Sequence, residues 1–244
     1  MLHKTNGIVL RSIKYGDSSL VTTIFTSLYG IQTYMVQGVR SSKARQNRAG
    51  LFQPATLLEL VVYQQPQKNM QRIREFQAAY IYSNLQEDVV KNSILLFSAE
   101  LLLRLLPEHA PITSLFDLAY DYFIALDTMQ QYKVANFPLF FIINCSRILG
   151  FELKGEYSSK TPHLNMQDGG FTAHVPSAIP FTNDEDAHTL YRLLKIDNYE
   201  GLGDIEMNAA MRLRLIDWYV TFLQTHTQHM GNIRSLPVLR AILH

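Results

Sequence analysis

The chain has 244 residues, 47% of them hydrophobic and 18% charged, with a formal net charge of +1. That composition suits a folded protein with a sizeable core and excludes a disordered chain. A single cysteine, Cys145, excludes an internal disulfide framework and a multi-cysteine zinc site, and points to a reducing compartment or to indifference to redox.

The near-neutral total hides an asymmetry. Residues 1–80 carry ten Lys and Arg against three Asp and Glu, and the remainder carries twelve against eighteen. Segregation of this kind suggests a polyanion-facing N-terminal part. The opening residues lack the apolar run of a signal peptide. Short strands are then expected over 5–12, 20–26, 31–39, 56–63 and 71–76, because side chains on a strand alternate faces. Leu58, Leu60 and Val62 share one face of the fourth. In the fifth, Arg72 and Arg74 share a face opposite Ile73. Five strands split by turn signals fit a small barrel or sandwich. Between the third and fourth lies a polar, glycine-bounded stretch, 38–50, that is not built to pack.

From about residue 78 the period turns helical, giving an α+β layout with strands first and helices after. Domains are expected at 1–78 and 79–244. Residues 92–106 are apolar on nearly every side, as a central helix must be, and Glu100 can pair with Arg104 one turn on. Helices are also expected over 113–126, 134–149 and 206–225. The last repeats Met207, Met211, Leu215, Trp218 and Phe222 along one stripe. Residues 150–181 read as irregular, broken by glycines and prolines. Thr182 and Glu185 are spaced as a capping box at a further helix start. Residues 94–106 are too short to span a membrane and carry charge, and residues 137–151 carry Pro138 and Arg147. Buried helices are therefore expected, with no membrane partner and a cytoplasmic location.

Motifs for catalysis are missing. No Gly-Lys pair occurs, so a phosphate-cradling loop of the Walker type is absent, as are Gly-x-Ser-x-Gly and His-Glu-x-x-His. Asp184, Glu185 and Asp186 sit where acids favour a helix dipole. His226 and His229 share a helix face without an evident third ligand, and Cys145 lies in an apolar helix as a small hydrophobe. An enzyme is not expected, nor a cofactor.

The cations are the informative part. Arg40, Lys43, Arg45 and Arg48 put four positive charges into nine residues without an acid. Arg11, Lys14, Arg72 and Arg74 add to them. One reading is a solvated connector; the other is a surface that grips phosphates. A barrel with a cationic groove suits single-stranded nucleic acid, whose bases need aromatic platforms. Tyr15, Tyr34 and Phe52 are candidates for these.

Several ordered pieces resemble one family. Gly7-Ile8-Val9-Leu10, then Tyr15-Gly16-Asp17-Ser18-Ser19-Leu20-Val21, then Phe25-Thr26 with Tyr29-Gly30, resemble the opening of RecO proteins. Val36-Gln37-Gly38-Val39-Arg40, Leu51-Phe52-Gln53-Pro54 and Leu58-Glu59-Leu60 resemble the segments that follow, and Ser235-Leu236-Pro237-Val238-Leu239 fits in placement. The resemblance implies an N-terminal five-stranded OB-fold barrel and an all-helical C-terminal domain. It implies binding of single- and double-stranded DNA, strand annealing, and action with RecR. It also implies help in loading RecA onto DNA coated by single-strand-binding protein (SSB), whose C-terminal tail is contacted. An acidic tail needs an apolar pocket with a cation for its carboxylate; Arg104, Arg147, Arg212 and Arg214 are the candidates. Many members carry a four-cysteine zinc site in the region equivalent to 150–176. Here that region holds Glu156, Ser158, His163 and His174 with no cysteine, and zinc is not expected. Two other classes stay open: an RNA- or ribosome-associated OB protein, and a protein-interaction adaptor.

Overall fold

Alternation along β1 (Leu2–Tyr15) organises the first part of the chain, because this one strand serves both edges of the sheet. Its first half pairs antiparallel with β4 (Leu57–Tyr63), from Leu2↔Tyr63 to Ile8↔Leu57. Its second half pairs with β2 (Ser19–Thr26), from Gly7↔Thr26 to Tyr15↔Ser19. Where both ladders overlap, Gly7 leaves room for the core: a Cβ there would lie 2.7 Å from Ile24. A bulge between Val9 and Arg11 bends the strand around the barrel. β3 (Gly30–Val36) follows β2 in a hairpin, and β5 (Met70–Ala78) pairs with β4. A short parallel pairing of β3 with β5 closes the barrel in the order β1-β2-β3-β5-β4. This is the OB-fold barrel that the sequence led us to expect, followed by helices.

The structure, a computed structural model, describes residues 1–40, 48–65, 67–85, 87–176, 182–228 and 230–244. They divide into two compact units, Met1–Glu87 with Ala99–Thr128, and Asp88–Ser98 with Met129–His244. In the first, Val9, Leu20, Ile24, Tyr34, Leu58, Leu60 and Val62 fill the barrel, and Phe52, from a single 3-10 turn (Arg48–Phe52), plugs it. The barrel is joined to α2 (Thr113–Thr128) through Phe25 and Phe116, whose rings meet edge to face at 5.4 Å. Asp127, at the end of α2, is buried and binds the chain that leaves β5. Its carboxylate accepts from the backbone N–H groups of Ser83, Asn84 and Leu85 at 2.8–3.0 Å and from the Tyr80 hydroxyl at 3.0 Å.

α1 (Val89–Leu105) runs through the unit boundary in sequence. The second unit holds α3 (Phe137–Ile148), α4 (Asp184–Leu194), α5 (Ala209–His226) and α6 (Leu236–Ile242). A small hairpin of β6 (His163–Asn165) and β7 (Gly170–Thr172) lies within the segment read as irregular. Met211, Leu215, Trp218 and Phe222 bury one stripe of α5, with Trp218 stacked on Phe222 at 5.6 Å. The start of α4 differs from the expected capping box. Asn183 is the N-cap and its side chain accepts from the Asp186 N–H at 2.7 Å, while Thr182 is buried one residue too early to reach that amide.

Candidate nucleic-acid interface

The closure of the barrel creates the site. β3 and β5 pair only from Thr33↔Met70 to Met35↔Arg72. Past that point the two strands line a groove of about 620 Å³, with residues 36–39 on one side and Arg72, Ile73, Arg74 and Phe76 on the other. Arg48 enters from the 3-10 turn. Its guanidinium stands 4.1 Å above the Phe76 ring and donates to the Phe76 carbonyl at 3.3 Å. The same ring meets Phe52 edge to face at 4.8 Å, so Phe76 is held between the plug and the arginine. A neighbouring groove of about 730 Å³ shares Arg48, Arg74 and Phe76, and adds Lys4, Glu59 and Glu75. Arg74 falls where the β4–β5 register shifts, and pairs with Glu75 at 3.2 Å in the open. Such an exposed pair is worth little and leaves the arginine available.

The eight cations read from the sequence therefore separate. Arg48, Arg72 and Arg74 come together around one groove. Arg40 is tied to the β1–β2 turn: its backbone N–H donates to Ser18 at 3.0 Å and its guanidinium to Gly16 at 3.2 Å. Arg11 points outward from β1 with Ile13 and Tyr15, while Lys14 falls on the other face of the strand at the barrel rim. Lys43 and Arg45 lie outside the described residues. Of the expected platforms, Tyr15 is exposed, but Tyr34 and Phe52 are buried in the core and offer no face to a base. Burial pushes the Tyr34 phenol well above its ordinary pKa, and its hydroxyl donates to Gln32 at 2.8 Å. Phe76 and Tyr63 escaped the sequence reading. Tyr63 was within its reach, since Leu58, Leu60 and Val62 facing inward put the next residue outward.

Each arginine proposed for an acidic tail has a partner. Arg104 pairs with Glu100 at 3.6 Å. Arg147 reaches Glu152 at 3.4 Å and the Leu194 carbonyl at 2.8 Å. Arg214 makes a two-pronged bond to the buried Asp186 at 2.7 and 2.8 Å. Arg212 differs: burial lowers its pKa and its partners are neutral, Asn136 and the Met207 carbonyl, both at 2.9 Å. It also lines a cavity of about 430 Å³ with Tyr132, Lys133, Leu202 and Ile205.

Metal chemistry finds little purchase in the segment before α4. Glu156 is 3.5 Å from the Lys195 ammonium, and the Ser158 hydroxyl is bonded to Thr161 at 2.8 Å. Among the described residues no group of three or more His, Cys, Asp or Glu could hold a metal ion, so the residues there do not fit a zinc site. In the helical unit His226 is bonded to the Met166 carbonyl at 2.9 Å, and His229 lies outside the described residues. Cys145 is fully buried and burial pushes its thiol up, away from reactivity. No helix among the described residues is long and apolar enough to cross a membrane.

Comparison with known proteins gives a consistent result. The chain matches the family described as Recombination protein O N terminal over residues 1–82, and that described as Recombination protein O C terminal over residues 86–237. It is 30% identical over 243 residues to the DNA repair protein RecO of Bacteroides fragilis, covering 99% of both chains. It is 30% identical over 242 residues to that of Phocaeicola vulgatus and 29% over 243 to that of Christiangramia forsetii, again over 99% of each. DNA binding and recombination fit that family, as does the N-terminal barrel. With both segments matched in order along nearly its whole length, the chain belongs to the RecO family of recombinational DNA repair proteins.

Proposed function

We propose that the chain binds single- and double-stranded DNA through the cationic wall of its barrel, promotes annealing, and acts with RecR to load RecA onto SSB-coated strands in the cytoplasm. One observation supports DNA as the ligand: Arg48, Arg72 and Arg74 line a single open groove beside an aromatic ring. Three arginines lining one groove concentrate positive charge there, and a phosphate backbone neutralises it while releasing counterions. Arg11, Lys14 and Arg40 extend the positive surface, and Lys43 and Arg45, outside the described residues, add two cations to the same basic stretch of sequence. The named protein partners rest on the family resemblance. For the SSB tail, Arg212 is the best of the four arginines, because its own partners are neutral and its cavity offers apolar walls and a second cation, Lys133, against one acid, Glu206.

The test is a salt titration of single-strand binding for wild type and the triple variant Arg48→Ala, Arg72→Ala, Arg74→Ala. Each phosphate neutralised contributes about 0.7 to the slope of log K against log salt, so losing three flattens it by about 2. Binding falls alike for all base sequences, because phosphate contacts carry no base information. Equal slopes in two equally stable proteins overturn the assignment.

A further inference from the structure

Residues 151–176 lie between α3 and α4, and their regular structure is the short pair of strands β6 and β7. A stretch this long needs a tie, because its few backbone bonds do not repay the entropy of ordering it. The compact ties open to a chain are a disulfide, a metal ion or packed side chains. The one cysteine of this chain is in α3, so no disulfide is possible. The donors of the stretch do not fit a metal, as shown above.

What meets the stretch is one face of α4. Asp184, His188 and Tyr191 follow one another at spacings of four and three, which aligns them along the helix, and Lys195 closes its C-terminal end. Each has a partner in the stretch. The Tyr157 hydroxyl donates to Asp184 at 2.8 Å, and the Tyr157 ring lies 4.8 Å from the His188 imidazole. Tyr191 meets Phe171 of β7 edge to face at 5.7 Å, and Tyr157 meets the same ring at 6.4 Å. The Lys195 ammonium stands 5.0 Å from the Tyr191 ring and 3.5 Å from the Glu156 carboxylate. A different face of α4, with Ala187, Leu190 and Leu193, is buried in the core. The rings therefore close the stretch against the outer side of the helix.

We propose that these rings are a clasp that takes the place of a metal, holding residues 154–172 on α4 by packing alone. A four-thiolate zinc site, which the family resemblance implies for many members, is opened by chelators and by thiol oxidants. Neither reagent has anything to act on here. Ring pairs at these separations and angles attract beyond the area they bury. Closure is reported by two backbone bonds, from the Lys154 N–H to Gly169 at 2.7 Å and from the Phe171 N–H to Lys154 at 3.0 Å. Gly170 permits that crossing, since a Cβ there would lie 2.8 Å from the Lys154 carbonyl oxygen.

The experiment is hydrogen exchange read by mass spectrometry on the full chain, following peptides that carry the Lys154 and Phe171 amides. Wild-type protection is the same with and without EDTA and the thiol oxidant diamide. Tyr157→Ala with Tyr191→Ala speeds exchange at these amides about tenfold or more, while α5 stays protected. Tyr157→Phe with Tyr191→Phe keeps the rings and changes exchange by no more than about threefold. Faster wild-type exchange in EDTA, or slower exchange on adding zinc, overturns the proposal in favour of a metal tie. Unchanged protection in the alanine variant overturns it too, since the rings then hold nothing. Equal losses in the alanine and phenylalanine variants would assign the hold to the hydroxyl bonds instead. A loss that spreads into α5 would make the rings part of the core and not a clasp, which also overturns it.

Discussion

Replacing Asp127 by Ala should cost the first unit much of its stability. Asp127 is 1% exposed, and its carboxylate receives four hydrogen bonds from the described residues, three from consecutive backbone N–H groups and one from a phenol. The Leu85 N–H is on a buried residue, and leaving it without an acceptor costs about 2 kcal/mol. Ser83 and Asn84 are exposed, so water replaces the acceptor there, and each loses only a net bond of about 1 kcal/mol; Tyr80 loses a similar amount. The total is about 5 kcal/mol, a large share of the 5–15 kcal/mol typical of a folded protein. For a chain of this length that lowers the thermal midpoint by roughly 10–20 °C. Asp127→Asn keeps one acceptor oxygen for two amides and should lose about half as much. The pH dependence has a definite sign. Burial alone would raise the pKa of Asp127, but the amides of Ser83, Asn84 and Leu85 and the Tyr80 hydroxyl together bring it below the ordinary value. A carboxyl with a depressed folded pKa contributes fully above the unfolded value, about 3.9, and loses that contribution as pH falls through the folded one. The gap between wild type and Asp127→Asn should therefore be widest at neutral pH and shrink below about pH 4. Calorimetric scans of the three proteins from pH 3 to 7 measure this. A midpoint shift under about 3 °C for Asp127→Ala at pH 7 would refute the reasoning.

Gly30 has φ +65°, and a Cβ there would lie 2.3 Å from the Ala110 carbonyl oxygen, so Gly30→Ala should destabilise by more than about 2 kcal/mol in a denaturant melt. An acidic tail peptide ending in a free carboxylate should bind wild type in calorimetry, and Arg212→Ala should abolish that binding; an unaffected variant removes the cavity beside Arg212 as its site. Elemental analysis after mild chelation should find no stoichiometric zinc, and about one zinc per chain would contradict the poor fit of Glu156, Ser158, His163 and His174 to a metal.

Local patterns were enough for the five barrel strands and for α1 to α5, but not for the β6–β7 hairpin or for α6. A period of two placed the five strands within a few residues of their observed ends, since inward Leu58, Leu60 and Val62 leave one register for β4. A helical period did the same for α2 and for the buried stripe of α5. The capping signal at 182–185 located the start of α4, but choosing between Thr182 and Asn183 took the backbone geometry, because the cap is whichever side chain reaches the free amide.

Which cations work together was beyond those patterns. Arg48 meets Phe76 across 28 residues because β5 enters between β3 and β4, a topology that alternation within single strands does not encode. Tyr34 and Phe52 looked as suitable for stacking as Tyr15, yet barrel closure buries two of the three. Asp127 gave no local signal, since its amide partners lie 42–44 residues away. Charge, hydrophobic period and the order of motifs belong to the chain alone, and they determined the fold class and the family. Barrel closure decided which faces became core and which arginines became neighbours, because only a folded sheet brings residues distant in sequence within reach of one ligand.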